Sequence, residues 1–205
     1  MRHTRTFAGV VVAALLAGVP AGTAELETAA LETATFAAGC FWCTEADFDH
    51  MEGVRETISG YTGGRFANPT YEQVSSGGTG HVEAVEVRFD PAVVTYEQLL
   101  EHFWRNVDPF DGRGQFCDIG EQYRPVIFYR TEAQRTAAQA SKERVEKLLR
   151  KRVAVQVAPA GLFYRAEEYH QNYHRKNRVR YNYYRWSCGR DRRLKDVWGK
   201  VGTTP

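Results

Sequence analysis

A short strand that runs through one glycine into a helix is the feature that most constrains how this chain can fold. Residues 33–38 read TATFAA, a partly β-branched run that predicts a strand, and Gly39 ends it. The polar segment from Thr44 to Phe48 predicts the first turns of a helix. Cys40 is therefore expected at a helix N-terminus, where unpaired backbone N–H groups favour a thiolate over a neutral thiol.

A second cysteine follows three residues later, so that Cys40 and Cys43 bracket two large aromatic side chains, Phe41 and Trp42. A thiolate is the nucleophile that sulfur chemistry needs. Because three residues make about one helical turn, the Cys43 thiol lies within reach of Cys40. The pair predicts a redox active site.

Strand and helix patterns alternate in the middle of the chain, which predicts a mixed α+β fold with a sheet packed by helices. Strands are predicted over residues 54–61, 81–89, 125–129 and 153–157, and helices after the capping boxes that begin at Thr95 and Thr131. Residues 68–71 are expected to form a loop. Residues 108–123 are glycine-rich and carry many functional groups, and long loops inside compact domains are usually functional.

One acidic residue lies on the apolar face of the strand predicted over residues 81–89. Alternation places Glu83 on the same face as Val85, Val87 and Phe89. Desolvation raises the pKa of a carboxyl in such surroundings, so Glu83 can hold a proton near neutral pH and act as an acid. A purely structural carboxylate, paired with a base, is the alternative that periodicity leaves open.

The N-terminus has the layout of a secretory signal peptide. Residues 1–24 combine a basic opening, an apolar run from Phe7 to Val19 and small residues before Glu25. The apolar run is shorter than the span of about 20 residues that a membrane anchor needs. We expect export: residues 1–24 are removed, and residues 25–205 form one domain without stable membrane association.

Removing residues 1–24 takes away Arg2 and Arg5, which leaves equal numbers of basic and acidic residues in the rest of the chain. The aromatic and basic stretch 175–186 could suggest stacking on single-stranded nucleic acid. Export and a neutral domain argue against a nucleic-acid partner. We interpret this stretch as a solvated tail that wraps the domain.

Two histidines in the same region, His170 and His174, have a spacing that could place both imidazoles on one helix face for zinc. The metalloprotease motif has Glu as its second residue, and this chain has Gln171 there. The general base is therefore missing, and structural histidines with no metal are the prediction.

Five ordered motifs together give a family resemblance. They are Gly39-Cys40-Phe41-Trp42, Gly60-Tyr61-Thr62-Gly63-Gly64, Asn68-Pro69-Thr70-Tyr71, Gly80-His81-Val82-Glu83-Ala84-Val85 and Gly120-Glu121-Gln122-Tyr123-Arg124. From about residue 34 to about residue 178 the chain resembles the A-type peptide methionine sulfoxide reductases. The resemblance implies a ferredoxin-like two-layer α/β sandwich with long loops and a coiled C-terminal tail.

The resemblance also implies an activity, the reduction of the S epimer of methionine sulfoxide in peptides, and it leaves open whether the free amino acid is a substrate as well. It implies that Cys40 attacks the sulfoxide sulfur and that Glu83 supplies a proton to the oxygen. The remaining roles are Phe41 and Trp42 holding the methyl group, Tyr71 and Tyr123 donating hydrogen bonds to the oxygen, and Asp118 organising the pocket. Cys40 would be left as a sulfenic acid.

A second thiol must then condense with the sulfenic acid, and three cysteines are candidates. Cys43 is the first choice because it is near in sequence; Cys188 could reach the site if the tail folds back, and Cys117 adjoins the pocket aspartate. Cys117 and Cys188 could instead form a structural disulfide. By resemblance an external thioredoxin-like dithiol regenerates the enzyme, which needs no cofactor of its own. We expect a monomer, and the export signal predicts that it works in the periplasm.

Two other classes of function are compatible with parts of the sequence. An exported thiol–disulfide oxidoreductase would use Cys40 and Cys43 on protein disulfides, without needing a buried Glu83. A secreted binding domain would use all four cysteines structurally, and replacing Cys40 would then leave its behaviour unchanged.

Overall fold

The computed structural model describes Met1 and residues 30–199; the predicted export signal, apart from Met1, lies outside the described residues. The strands are β1 (Glu32–Ala37), β2 (Val54–Thr62), β3 (Val82–Phe89), β4 (Gly114–Gln115), β5 (Asp118–Ile119), β6 (Val126–Tyr129), β7 (Gln156–Pro159) and β8 (Tyr164–Arg165). The helices are α1 (Phe41–Asp49), α2 (Tyr71–Ser75), α3 (Tyr96–Arg105), α4 (Glu132–Leu149), α5 (Tyr173–Lys176), α6 (Arg178–Ser187) and α7 (Arg190–Trp198).

The central sheet has the order β7-β6-β1-β3-β2-β8. β3 lies antiparallel between β1 and β2, and β6 pairs antiparallel with the other side of β1. With α1 and α3 as the connecting helices, this is the split βαββαβ arrangement of a ferredoxin-like fold. The mixed α+β prediction and its two-layer form are confirmed.

Helices α1, α3 and α4 cover one face of the sheet and enclose the main apolar core. Phe36 of β1 stacks on Phe48 of α1 at 4.8 Å and on Phe103 of α3 at 5.3 Å between ring centroids. Val85 and Val87 of β3 are fully buried in the same core. Glu83 belongs to this face by alternation, as predicted, so its carboxyl points toward the helices.

The outer edge of β2 is covered by the C-terminal part of the chain. β8 pairs with Gly60 and Tyr61, and the Gln171 side chain continues the cover. Its amide oxygen accepts from the Ser59 N–H at 3.0 Å, and its Nε2 donates to the Ser59 carbonyl at 2.9 Å. A glutamine side chain here makes both bonds that a neighbouring strand would make.

Two predicted elements before the C-terminal stretch differ from the structure. β7 begins at Gln156 rather than at Val153, because the Val153 and Ala154 N–H groups donate to Glu146 and to the Pro109 carbonyl instead of to a strand. The expected loop 68–71 ends in the capping box that starts α2.

The C-terminal stretch expected as a solvated coiled tail is mostly helical, from α5 to α7. It buries Tyr173, Tyr181, Arg190 and Trp198 against the domain. The basic composition hid these few inward-facing residues, because most of their neighbours are exposed. Over the described part of the chain, no helix is long and apolar enough to cross a membrane.

Candidate active site

Cys40 lies at the junction of β1 and α1, where it is the N-cap residue of the helix, as predicted. Gly39 makes the turn possible, since its φ of +86° is in the left-handed region that favours glycine. A Cβ at this position would lie 2.6 Å from the Cβ of Gln115. The strand, the glycine and the packed loop together fix where the Cys40 thiol sits.

Glu83 is anchored at the same helix N-terminus. Its Oε2 accepts from the Phe41 N–H at 2.9 Å, and the side chain is buried. Burial raises the pKa of Glu83 to about 8, assisted by the Asp118 and Cys43 charges and opposed by the Phe41 hydrogen bond. The prediction of a raised carboxyl pKa agrees with this direction, and Glu83 is mostly protonated at neutral pH.

The prediction that the helix N-terminus makes Cys40 a thiolate is wrong for the resting protein. Burial raises the pKa of Cys40 well above its ordinary value, and Cys43, Glu83 and Asp118 raise it further. The first free amide of the helix, that of Phe41, donates to Glu83 and not to the sulfur. The resting Cys40 therefore keeps its proton.

Two predicted tyrosines face the same group of residues. Burial, together with the charges of Glu83 and Cys40, raises the pKa of Tyr71 to about 12. The same kinds of cause raise the pKa of Tyr123, where Tyr71 also contributes. Both phenols therefore keep their protons over the physiological range and can donate hydrogen bonds.

Tyr71 is held in place by a residue that sequence reasoning did not single out. Glu167 accepts from the Tyr71 N–H and from the Tyr61 hydroxyl, each at 2.8 Å. The segment before α5 is thus bonded to Tyr71 and to Tyr61. The only signal in the sequence was that aromatic and charged residues accumulate from Glu167 onward.

The two aromatic residues after Cys40 belong to an aromatic cluster. Phe41 is fully buried against Tyr61 and His170, with ring centroids at 5.9 and 4.8 Å. Trp42 is half-buried and stacks on Tyr173 at 3.7 Å. This cluster provides an apolar surface beside the Cys40 sulfur.

His170 orients the Trp42 indole, whose N–H donates to His170 Nδ1 at 3.0 Å. Burial lowers the pKa of His170, which keeps the ring neutral and able to accept this bond. His174 lies elsewhere, with its Nε2 3.1 Å from Asp49. The two histidines therefore have separate partners and do not converge as the zinc spacing would require.

Asp118 lies at the start of β5, between the site and the C-terminal helices. Its Oδ2 accepts from the Tyr184 hydroxyl of α6 at 2.5 Å. Burial raises the pKa of Asp118 despite that bond. Tyr184 was not predicted as a site residue. Its ring is also in a T-shaped arrangement with Trp42, with the ring centroids 6.0 Å apart.

Cys117 and Cys188 form a disulfide across 71 residues of chain. It ties the loop that carries Asp118 to the end of α6. Cys40 and Cys43 are the free cysteines, and both are buried. The structure thus brings together all ten predicted site residues, but it divides the four cysteines into one disulfide and one dithiol pair.

Among the described residues, the group with the spacing of a metal site is Cys117, Asp118 and Cys188. Two of its three members are sulfur atoms already bonded to each other. A metal would need both as thiolates, so this group does not fit a resident ion while the disulfide is intact.

Comparisons with known proteins agree with this geometry. Residues 32–201 match the sequence model of a family described as peptide methionine sulfoxide reductase. Peptide methionine sulfoxide reductase MsrA 2 from Caulobacter vibrioides is 49% identical over 191 residues, covering 93% of this chain and 97% of that protein. A Vibrio cholerae relative, MsrA/MsrB, is 48% identical, and the match covers 86% of this chain but 47% of that protein, about half its length.

Solved structures show the same fold. Mxr1 from Saccharomyces cerevisiae in its reduced form gives a TM-score of 0.70 at 30% identity, covering 73% of this chain and 87% of that one. Methionine sulfoxide reductase A of Corynebacterium diphtheriae gives 0.68 at 34% identity, covering 73% and 76%. By the match over residues 32–201 and the near full-length relatives, the chain belongs to the peptide methionine sulfoxide reductase family.

Proposed function

We propose that the protein is an oxidoreductase that reduces the S epimer of methionine sulfoxide in peptides to methionine. The observation that carries the proposal is the buried, largely protonated Glu83 held at the helix N-terminus next to Cys40. A sulfoxide oxygen leaves sulfur only after it gains a proton, so an acid must lie beside the nucleophile. Family membership supports the same activity.

In the first step, the Cys40 sulfur bonds to the sulfoxide sulfur while Glu83 gives its proton to the oxygen. The oxygen then moves to the Cys40 sulfur, the bond between the two sulfurs breaks, and methionine leaves. The thiol proton of Cys40 passes to Glu83 and replaces the proton that Glu83 gave to the oxygen. Methionine is the reduced product, and Cys40 is oxidised to a sulfenic acid.

Substrate binding uses the groups around these two residues. Phe41 and Trp42 contact the methyl group, and the phenols of Tyr71 and Tyr123 donate hydrogen bonds to the oxygen. Asp118, bound to Tyr184, shapes the opposite side. A buried site of this kind strengthens each hydrogen bond to the developing oxygen charge.

Cys43 resolves the sulfenic acid by forming a disulfide with Cys40 and releasing water. It is the free cysteine beside Cys40, whereas Cys188 and Cys117 are joined to each other. These facts favour Cys43 over Cys188 and Cys117 as resolving residue. Mapping the disulfides after one turnover tests this choice, and a Cys40–Cys188 link would contradict it.

An external thioredoxin-like dithiol then reduces the enzyme, which needs no cofactor of its own. The yeast protein Mxr1 has been solved in complex with Trx2. For this chain, the reductant is a thioredoxin-like protein of the periplasm, where a monomer cleaved after residue 24 repairs oxidised proteins. Support for export comes from the basic, apolar and small-residue pattern of residues 1–24.

The experiment that tests the activity uses the reduced protein with no recycling reductant. The S and R epimers of a peptide methionine sulfoxide are offered separately, and methionine is counted. We expect about one methionine per chain from the S epimer, because the Cys40–Cys43 dithiol is spent after one sulfoxide is reduced. Cys40→Ser is the control and forms none.

No methionine from either epimer would contradict the proposal. The buried Cys40–Cys43 dithiol would then favour the thiol–disulfide oxidoreductase. A protein-disulfide substrate offered to the same reduced sample distinguishes that activity, because it oxidises the dithiol without forming methionine.

A further inference from the structure

A fully buried guanidinium contacts the segment that carries the two reactive cysteines. It has no part in the reaction described above. Arg190, the first residue of α7, is 2% exposed. It donates to the Ala38 carbonyl at 3.3 Å, to Asp47 Oδ2 at 3.0 Å and to the Asn106 carbonyl at 2.6 Å. Its Nε has no partner within the described residues. Burying such a charge is unfavourable unless anions and acceptors surround it.

The nearby carboxylate does not balance the positive charge. Asp47 is shared between two guanidinium groups, because Arg185 donates to its Oδ1 at 2.7 Å. Arg185 also pairs with Asp191, but that carboxylate is 68% exposed and screened by water. Asp47 is therefore the one carboxylate bonded directly to Arg190 among the described residues, and Arg185 competes for it; the Asp118 carboxyl interacts with Arg190 without a direct bond.

The residues that Arg190 contacts flank the two reactive cysteines. Asp47 follows Cys43 by one turn of α1, and the Ala38 carbonyl bound by Arg190 is two residues before Cys40. Arg190 thus contacts the backbone before the first cysteine and the side chain one turn after the second. A Cys43 thiolate would be a further anion that the Arg190 charge stabilises.

The titratable and charged groups that face Cys43 come from four elements. They are Asp47 from α1 and Cys40 at its N-cap, Glu83 from β3, Tyr181, Tyr184 and Arg185 from α6, and Arg190 from α7. The hydrogen bond from Cys40 lowers the pKa of Cys43, and the Arg190 and Arg185 charges lower it further against burial and Asp47.

We propose that Arg190 is a positioning residue that holds Cys43 as the anion which resolves the Cys40 sulfenic acid. The inference rests on the proposed function, since it assigns Cys43 the resolving step. The Cys43 thiolate attacks the Cys40 sulfur, the S–S bond forms and the S–O bond breaks. The hydroxyl takes the Glu83 proton and leaves as water; Cys43 is oxidised and the sulfenic sulfur is reduced.

The first test titrates Cys43 without any substrate. In a Cys40→Ser background, ultraviolet absorbance of the thiolate is followed against pH. We expect Arg190→Gln to raise the midpoint of the Cys43 titration by about one pH unit, which lowers the thiolate fraction at pH 7. Arg190→Lys keeps the charge and recovers most of the fraction. Arg193→Gln, on the same helix but paired with Asp108 near the surface, leaves it unchanged.

The second test separates the two chemical steps in the protein that retains Cys40. Without reductant, Arg190→Gln forms methionine from the S epimer within about twofold of the wild-type rate. Its sulfenic acid, trapped with dimedone, persists about tenfold longer because less Cys43 is anionic. A merely structural role for Arg190 would slow both steps together or neither.

Asp47→Asn keeps the inference testable if Arg190→Gln does not fold. Removing that carboxylate leaves the guanidinium charge unopposed, so the Cys43 thiolate fraction rises instead of falling. An unchanged fraction in the folded variants, or a rise in Arg190→Gln, would overturn the inference. Failure of the proposed function appears separately, as wild-type protein that forms no methionine while its Cys43 titration is intact.

Discussion

Glu83 combines burial with a single backbone hydrogen bond, and its protonation state should set the pH dependence of the first step. Because the pKa of Glu83 is raised to about 8, the acid is protonated below that pH and loses its proton above it. We expect the rate of methionine formation in a single turnover to fall about tenfold per pH unit above pH 8. Stopped reactions over a pH series measure this rate.

Replacing the acid tests the same residue directly. Glu83→Gln keeps the shape of the side chain but cannot donate a carboxyl proton, so methionine formation should slow by about 10²- to 10⁴-fold. The rate in this variant should also no longer decrease above pH 8. Glu86→Gln is the control, since Glu86 is on the same strand but pairs with Arg130 on the other face. Equal rates in Glu83→Gln and wild type would contradict the assigned role.

At the residue scale, the sequence was sufficient where a pattern alone determines the environment. Alternation along 81–89 placed Glu83 on the apolar face and so predicted its raised pKa. The protonation of Cys40 was not predictable in the same way, because it depends on burial and on contacts with Cys43, Glu83 and Asp118, the last two from distant parts of the chain. No local pattern encodes such a contact.

At the scale of elements, the β1–α1 junction depends on the backbone of Gly39. Gly39→Ala forces a side chain into the left-handed region and within 2.6 Å of Gln115 Cβ. We expect it to destabilise the fold by about 1–3 kcal/mol and to displace Cys40, so that methionine formation falls more than tenfold. Chemical denaturation and single-turnover assays measure the two effects.

Gly161→Ala is the matched control, because a Cβ there meets no atom within 4 Å. It should leave both stability and activity near those of the wild type. If Gly39→Ala behaves like Gly161→Ala, the junction does not fix the thiol as described.

Among the elements, the strands and helices with strong periodicity or caps were predictable, as β3 and α3 show. The C-terminal helices were not, since α6 buries only Tyr181 among its ten residues. Its position depends on long-range contacts, such as the Tyr184 bond to Asp118 and the Arg185 bond to Asp47. Those contacts appear only once the domain has folded.

At the scale of the whole molecule, the Cys117–Cys188 disulfide joins the active-site loop to the C-terminal helices. Its 71-residue separation restricts the unfolded chain, so the double variant Cys117→Ser/Cys188→Ser should lose about 2–4 kcal/mol of unfolding free energy. Urea denaturation measures the loss. Dithiothreitol should destabilise the wild type by a similar amount and leave the variant unaffected.

An unchanged wild-type midpoint in dithiothreitol would show that the disulfide does not stabilise the fold.

The pairing itself was an open alternative at the level of sequence, because four cysteines allow three full pairings. Spacing alone favours the near neighbour Cys43 for Cys40, but it says nothing about residues 117 and 188, which meet only in three dimensions.

The cover that Gln171 and β8 place over β2 also removes backbone groups to which another chain could pair. An uncovered strand at the edge of a sheet offers a row of free N–H and C=O groups on which another chain can assemble. Here the Ser59 groups are already bonded, and at the opposite edge β7 ends in Pro159, which has no N–H to offer. The C-terminal segment thus occupies backbone groups of the sheet edge and also contributes residues to one side of the active site.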